Sequence, residues 1–464
     1  MSDQVQALIV GAGISGLATA YALQKAGVSP LILEFASRPG GVIQSVERDG
    51  FLIECGPQSF TGNAALTAIC RDLQIADLRV LADPKSPRYV LIGSKLRNVP
   101  MGPGLLLSSL MGGTRRAILH DTLGKTRPPE PDESVANFVR RKFSANLLDR
   151  LVGPFVSGIY AGDPEKLSLR AAFPTLYQAE STSGSVIRGV FSRGKESKNR
   201  DGNSPREKPR LQTFRPGNEI LIQALANDLG ERLVCSCEVT SIAALAPSAE
   251  PQAPRFRVTS RTLKGQETIG AERLILAVPT DVAGKLLATL NREFASQFLP
   301  IEYAPVCVVS LGYRRADVGH PLNGFGFLVP RSSGLNVLGT VWNSSLFPDR
   351  APEGYVLLTS FVGGATNPAA TQKKVDELVA LVHREITPIL SIRNQPLFSN
   401  VTTWPRAIPQ YNLGHMARLA ALEKLRSQFP GLHFVGNYLN GPAIGTCVEQ
   451  ALKIADEIRI SFAN

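Results

Sequence analysis

The chain has 464 residues, 44% of them hydrophobic and 19% charged, with a formal net charge of +11. That hydrophobic content excludes wholesale disorder, and the length leaves room for about three domains of roughly 150 residues each. Six cysteines with no CxxC pair exclude a disulfide scaffold and argue against structural zinc, so a reducing cytosol is the natural setting.

Met1–Gln6 is polar, and the apolar run Ala7–Val10 is too short for the core of a signal peptide. No stretch reaches the roughly 18 apolar residues of a spanning helix, so a soluble or peripheral cytoplasmic protein is expected.

Ala7–Val10 reads as a buried parallel strand, an apolar run stopped by glycine. Gly11-Ala-Gly13-Ile14-Ser15-Gly16 follows, then a helix from Leu17 to Lys25 that ends at Gly27. Pro30–Leu33 is the second strand, and Glu34 closes it. This is the complete strand–glycine–helix–strand–acid unit of a dinucleotide site. Gly11 allows the tight turn, Gly13 lets backbone approach a pyrophosphate, and Gly16 lets helix and strand pack closely. The helix N-terminus, opened by Ile14 and Ser15, presents free N–H groups to phosphate. Glu34 lies where an acid accepts hydrogen bonds from ribose hydroxyls.

Phe35 comes next, then Arg38-Pro39-Gly40-Gly41-Val42, whose arginine and glycine pair point to a second approach of backbone to the diphosphate. A short strand from Gly50 runs into the loop Gly56-Pro57-Gln58-Ser59. Pro87–Leu91 and Gly93–Pro100 form a hairpin with a glycine in its turn, carrying Arg88, Lys95 and Arg97. Met101–Leu119 is apolar at its start and basic at its end. It reads either as an interfacial amphipathic segment or as a core helix with a basic end.

A helix follows from Asp132, capped by Asp132 or Ser134, and a second spans Asn146–Val156. Gly158, Ala161 and Gly162 then leave backbone with little side-chain cover. The stretch suits a ligand lying against main chain, or a simple helix-capping loop. Residues 192–210 carry seven Lys/Arg against three acids and no aromatic residue. They read as a solvated mobile loop or an anionic-surface contact, and not as a nucleic-acid site. Leu221–Leu229 is a helix, and Arg232–Val239 is a strand with Cys235 and Cys237 on one face. Val308–Tyr313, Gly324–Pro330, Leu335–Trp342 and Tyr355–Val362 read as an antiparallel sheet with helix Lys373–Ile386 packed on it.

Several stretches together resemble the oxygen-dependent protoporphyrinogen oxidase and coproporphyrinogen III oxidase family of the flavin amine oxidase superfamily. They are Phe155–Pro164, Gly324–Pro330, Leu338–Arg350, Thr359–Gly364, Pro409–Tyr411 with Gly414-His415, and Gly436–Gly445. The resemblance runs essentially end to end. It implies an α/β plus α+β fold. A Rossmann-like FAD-binding domain would comprise 1–85, 215–300 and 405–464, and an antiparallel-sheet substrate domain 86–100 and 301–404. A mainly helical inserted domain would comprise 101–214.

The resemblance further implies non-covalent FAD, a porphyrinogen substrate, six electrons removed in three rounds, and dioxygen reduced to hydrogen peroxide. Arg88 would pair with a substrate propionate, Phe361 would stack near one pyrrole, and Leu328 and Val341 would sandwich another. Gly158, Ala161 and Gly162 would face the macrocycle. The flavin would lie against Gly11, Gly13, Ile14, Ser15, Gly16, Glu34, Phe35, Arg38, Gly41, Val42, Gly56, Pro57, Gln58 and Ser59. Val239, Trp404, Gly436, Asn437, Pro442, Ala443 and Ile444 complete that set. A core indole is the alternative reading of Trp404, and His415 is read as a structural hydrogen bonder.

No acid–base residue and no metal is assigned, because the cofactor carries the chemistry and the protein orients the substrate and keeps it dry. An anionic membrane surface, a downstream chelatase and a second copy of the chain are the further partners the resemblance implies. Phe325, Phe327, Leu328, Val341 and Phe361 are read as an apolar pocket face. That favours protoporphyrinogen, because two more carboxylates against it would be costly, although Arg350 lies close in sequence. Coproporphyrinogen stays open, as do an amine oxidase or carotenoid desaturase and a non-enzymatic porphyrin-binding flavoprotein.

Overall fold

The computed structural model describes residues 4–100, 114–123, 130–189, 192, 210–246 and 253–463. Residues 101–113 of the expected interfacial segment and residues 193–209 of the expected basic loop lie outside them. No helix among the described residues is long and apolar enough to cross a membrane.

Two seven-stranded sheets organise the chain. In the first, Leu233–Val234, Pro30–Leu33, Gln4–Val10, the end of Gly265–Leu276 and Leu432–Phe434 run parallel. Their apolar runs follow from burial on both faces. Helices Ile14–Lys25 and Ile444–Ala463 pack together on one side of this sheet. An antiparallel extension, Glu238–Ala244 with Phe256–Thr262, completes it.

The second sheet has the order Phe398–Pro409, Tyr303–Arg314, Tyr355–Gly363, Val337–Trp342, Gly326–Leu328, Arg88–Ile92, Lys95–Asn98. It is antiparallel except where Gly326–Leu328 meets Arg88–Ile92 in parallel. Helix Val375–Leu390 covers one face through Leu378, Leu381, Val382 and Ile386. The other face is open to the site.

Three expectations change, and one pair of alternatives is decided. The single strand Arg232–Val239 is two pieces, because Ser236 adopts φ 54° and turns the chain. The N–H groups of Ser236 and Cys237 donate to Ala36 O and Glu34 O instead of continuing a ladder. Residues 145–160 are one helical run, with a wider turn over Leu148–Val152, so Gly158 lies inside helix Gly153–Tyr160 and not in a loop. The loop begins at Ala161, in the left-handed region at φ 46°.

Ser134, not Asp132, caps helix Val135–Lys142, accepting from Asn137 N–H at 3.1 Å. The strand Phe398–Pro409 was not foreseen, and it runs through the 404/405 boundary drawn from sequence. Its Pro405 is tolerated because the strand is an edge and its ladder shifts register opposite Ala304–Val306.

Candidate functional site

The glycine turn shows why each glycine is needed. Gly11 has φ 99°, and a Cβ there would lie 2.7 Å from Ala277 O. A Cβ on Gly16 would lie 2.0 Å from Gly11 O, so this position must stay bare for the helix to pack. Gly13 differs: a Cβ there meets nothing within 4 Å. Gly41, with φ 57°, comes so close that its Cβ would sit 3.7 Å from Gly13 Cα. Two glycines therefore rim one open space. Helix Ile14–Lys25 starts there with no side-chain cap, so its first N–H groups remain available to an anion. A dinucleotide's diphosphate fits this space.

Glu34 is half-buried beside it. Its Oε2 accepts the Ala12 N–H at 2.6 Å, and its Oε1 accepts the Ala36 N–H at 2.8 Å. Each oxygen keeps a further lone pair for a hydroxyl donor. Arg38 spends its guanidinium on the loop itself, donating to Pro39 O, Ile43 O, Gly41 O and Gln44 Oε1. It shapes the turn that carries Gly41 and Val42. Phe35 is 73% exposed.

Gly56 packs on Val42, where a Cβ would meet Val42 O at 2.0 Å. Pro57 O accepts from Asn218 Nδ2 at 2.9 Å. Buried Gln58 donates to Glu54 O and Gly56 O and accepts from Asn343 Nδ2 at 2.7 Å, which joins this loop, with Ser59 beyond it, to the second sheet. Trp404 Nε1 donates to Cys55 O at 2.7 Å, one residue before Gly56. Val239 is half-buried at the start of the strand that leaves Glu34. On the far side, Asn437 O accepts from Tyr411 Oη, and the N–H of Gly436 donates to Gln450 Oε1 at 3.5 Å. Pro442 and Ala443 lead into helix Ile444–Ala463, where Ile444 is buried.

The register of the second sheet decides which side chains share the open face. Phe361 pairs with Val308 on one side and Gly339 on the other, and Gly339 pairs with Leu328. Val341 pairs with Gly326, and Gly326 with Arg88. Trp404 pairs with Val306, two residues from Val308. Paired residues and every second residue along a strand share a face. Trp404, Phe361, Val341, Leu328 and Arg88 therefore project from one face.

Phe361 and Trp404 pack with Ala161, Val306, Val308 and Leu338. Val341 packs with Phe325 and Phe347. Arg88 lies 5.5 Å over the Phe325 ring. Helix Gly153–Tyr160 closes over this face, and a Cβ on Gly158 would meet Leu328 Cδ2 at 2.6 Å. The loop beyond it is held by Ala161 O accepting from Ala365 N–H at 2.7 Å. A Cβ on Gly162 would meet Gln410 Oε1 at 2.9 Å.

Two readings of the pocket are corrected here. Phe327 pairs with Thr340 and faces the helix-covered core, because it is one residue out of step with Leu328. Arg350 is buried against Glu54 and is not available to a carboxylate ligand. Two residues escaped the sequence reading: Phe155 and Ile159, one helical turn apart and 46% and 41% exposed, flank Gly158. Their i, i+4 spacing was the available signal.

His415 is buried and stacks on Tyr411 with ring centroids 4.7 Å apart. Burial lowers its pKa to about 4, so the ring is neutral at pH 7.

The flavin containing amine oxidoreductase model matches residues 14–459. A chloroplastic protoporphyrinogen oxidase of Oryza sativa subsp. japonica is 38% identical over 97% of this chain and 87% of its own length. Protoporphyrinogen oxidase 1 of Arabidopsis thaliana is 37% identical over 97% and 87%. Coproporphyrinogen III oxidase of Bacillus subtilis is 28% identical over 100% of both. Among solved structures, one from Exiguobacterium sp. 255-15 overlays with a TM-score of 0.80 at 22% identity, covering 99% of each chain. Cyclohexylamine oxidase from Brevibacterium oxydans gives 0.70 at 18%, covering 99% and 100%. The structural likenesses carry the fold, and the match over most of the chain carries the family: this chain belongs to the flavin containing amine oxidoreductases.

Proposed function

We propose that the chain oxidises protoporphyrinogen IX to protoporphyrin IX with non-covalently bound FAD and dioxygen as electron acceptor. One observation carries this reading: a single sheet face runs from Trp404 through Phe361, Val341 and Leu328 to Arg88. An apolar platform ended by a cation suits a flat macrocycle with carboxylates on one side. Bound FAD would supply the acceptor for hydride from a bridging methylene, with dioxygen as the final oxidant leaving as hydrogen peroxide, three molecules for six electrons. Gly13, Gly41 and the uncapped helix start would hold the diphosphate, and Glu34 the ribose.

In this reading Leu328 and Val341 press on the ring, Phe361 stacks beside it, and Arg88 fixes its rotation. The helix carrying Gly158 roofs the site and excludes water. No side chain is assigned to proton transfer, because restored conjugation drives the loss of hydride and the protein's task is placement. The product is flat and apolar, which fits delivery at an anionic membrane surface or directly to a chelatase.

The second reading is coproporphyrinogen III, favoured by the relative from Bacillus subtilis. Its two extra carboxylates would lie over apolar surface, at a cost unless water or a cation met them. Anaerobic mixing with each porphyrinogen tests both readings. Bleaching of the flavin by protoporphyrinogen, with kcat/KM at least as high as for coproporphyrinogen, supports the first. A tenfold preference for coproporphyrinogen, about 1.4 kcal/mol of discrimination, replaces it with the second. No bleaching by either refutes the enzyme reading in favour of a carrier.

A further inference from the structure

The hairpin that carries Arg88 presents two more cations on the same face. Val90 pairs with Arg97 and Ile92 with Lys95 across the hairpin. Val90 also pairs with Leu328 in the neighbouring strand. Arg88, Val90 and Ile92 alternate with Tyr89 and Leu91, which pack into the opposite core together with Leu96. The side chains of Lys95 and Arg97 therefore stand on the face of Leu328 and Arg88, at the last strand of the sheet.

Arg97 is the diagonal neighbour of Arg88, since Val99 N–H donates to Arg88 O at 2.8 Å. Diagonal positions lie about 7–8 Å apart, close enough for like charges to repel. All three cations are exposed, and among the described residues neither Lys95 nor Arg97 makes an ion pair. Residues 101–113, which follow the hairpin, contain no acid. Lys95 and Arg97 thus form an edge beside Arg88 that gains from an anionic group arriving there.

We infer that Lys95 and Arg97 hold the second propionate of the porphyrinogen while Arg88 holds the first. This rests on the porphyrinogen reading. The two propionates of protoporphyrinogen IX stand on neighbouring pyrroles and project from one side of the ring, so both reach one sheet edge together. Three strand spacings of about 4.8 Å separate the strand of Val341 from this edge, so a ring over Val341 and Leu328 brings that side toward the hairpin. The extra propionates of coproporphyrinogen project the other way, over the apolar strands. The hairpin is thus a specificity element as well as an anchor.

The test compares wild type with the Lys95→Gln/Arg97→Gln double variant on protoporphyrinogen IX and on its dimethyl ester. Flavin content and Tm should match, because both side chains are exposed. KM for the diacid should rise about tenfold with kcat within twofold, the size expected of two exposed ion pairs. On the diester the two proteins should behave alike. An unchanged KM for the diacid overturns the inference, and so does an equal loss on diacid and diester. An unchanged KM with lost sedimentation on anionic vesicles overturns it in favour of a lipid headgroup. If wild type is not reduced by protoporphyrinogen at all, the enzyme reading fails, and this inference with it. Normal wild-type reduction with an unchanged variant KM refutes the hairpin assignment alone.

Discussion

Arg350 Nη1 stands 2.9 Å from Glu54 Oε1, and both side chains are only 2% exposed. Arg350 Nη2 also donates to Thr213 Oγ1 at 2.5 Å and Phe214 O at 3.0 Å. Glu54 accepts from Ser45 Oγ at 2.6 Å and from Asn218 N–H at 3.0 Å. Burial pushes the Glu54 carboxyl above its ordinary range, and Arg350 is the largest influence against that shift. The network binds the segment after the Val341 strand to the loop that leads into Gly56–Ser59.

Removing one partner leaves a buried charge without compensation. Arg350→Met should cost about 3–5 kcal/mol in denaturant unfolding, and adding Glu54→Gln should recover part of it. If the single variant unfolds like wild type, the pair does not hold these segments together.

Gly13 and Gly16 make opposite predictions three residues apart. Gly13→Val meets only open space, so the protein should fold with a near-normal Tm and purify without flavin. Gly16→Val drives carbon into Gly11 O and should fail to accumulate as folded protein. A yellow Gly13→Val protein would exclude that space as the diphosphate site.

Gly158 tests the roof of the site. A methyl at this position comes within 2.6 Å of Leu328 Cδ2, so Gly158→Ala should destabilise the chain by about 1–3 kcal/mol and raise KM. Leu328→Ala removes the clashing methyls, so the double variant should be more stable than additivity allows. Additive losses would mean that the helix and the strand of Leu328 are not coupled through this contact.

Arg88 should act on binding more than on turnover. Arg88→Ala removes a charge-assisted hydrogen bond of about 1.5–3 kcal/mol, a rise in KM of roughly tenfold or more. Arg88→Lys should recover only part, because lysine lacks the bidentate fork. Steady-state kinetics with wild-type KM in Arg88→Ala would falsify the assignment.

His415 and His433 give the fold a pH signature. Burial lowers both to about 4, from an ordinary 6.5. Across that interval the unfolded chain binds more protons than the folded one, so stability rises with pH. The contribution is complete above pH 6.5 and is lost as pH falls toward 4, of order 3 kcal/mol for each ring. His415→Gln should flatten part of the fall in Tm between pH 7 and pH 5, the rest staying with His433 and with His320 and His383, which burial also lowers. A wild-type slope in that variant would place the loss elsewhere.

The sequence by itself determined what short-range sterics determine. The spacing of Gly11, Gly13 and Gly16 between two apolar runs admits one local arrangement, and the structure has it, with Glu34 at the strand end. The hairpin of Arg88 and Lys95 follows in the same way from the glycine in its turn. The tertiary structure alone decided which face each strand presents. Phe327 and Leu328 look equivalent as sequence, and only pairing with Thr340 and Gly339 sends them to opposite sides.

The same holds for the basic residues. Arg350 looked available because it lies near the pocket motifs, yet its partner Glu54 is 296 positions away. Gly158 looked like loop until a strand from another part of the chain required a close helix beside it. Ser236 breaks an apparent strand because two carbonyls after Pro30–Leu33 take the N–H groups that would have continued it. Local windows encode backbone geometry. Facing, pairing and burial depend on partners brought together by long-range register, and no local window contains them.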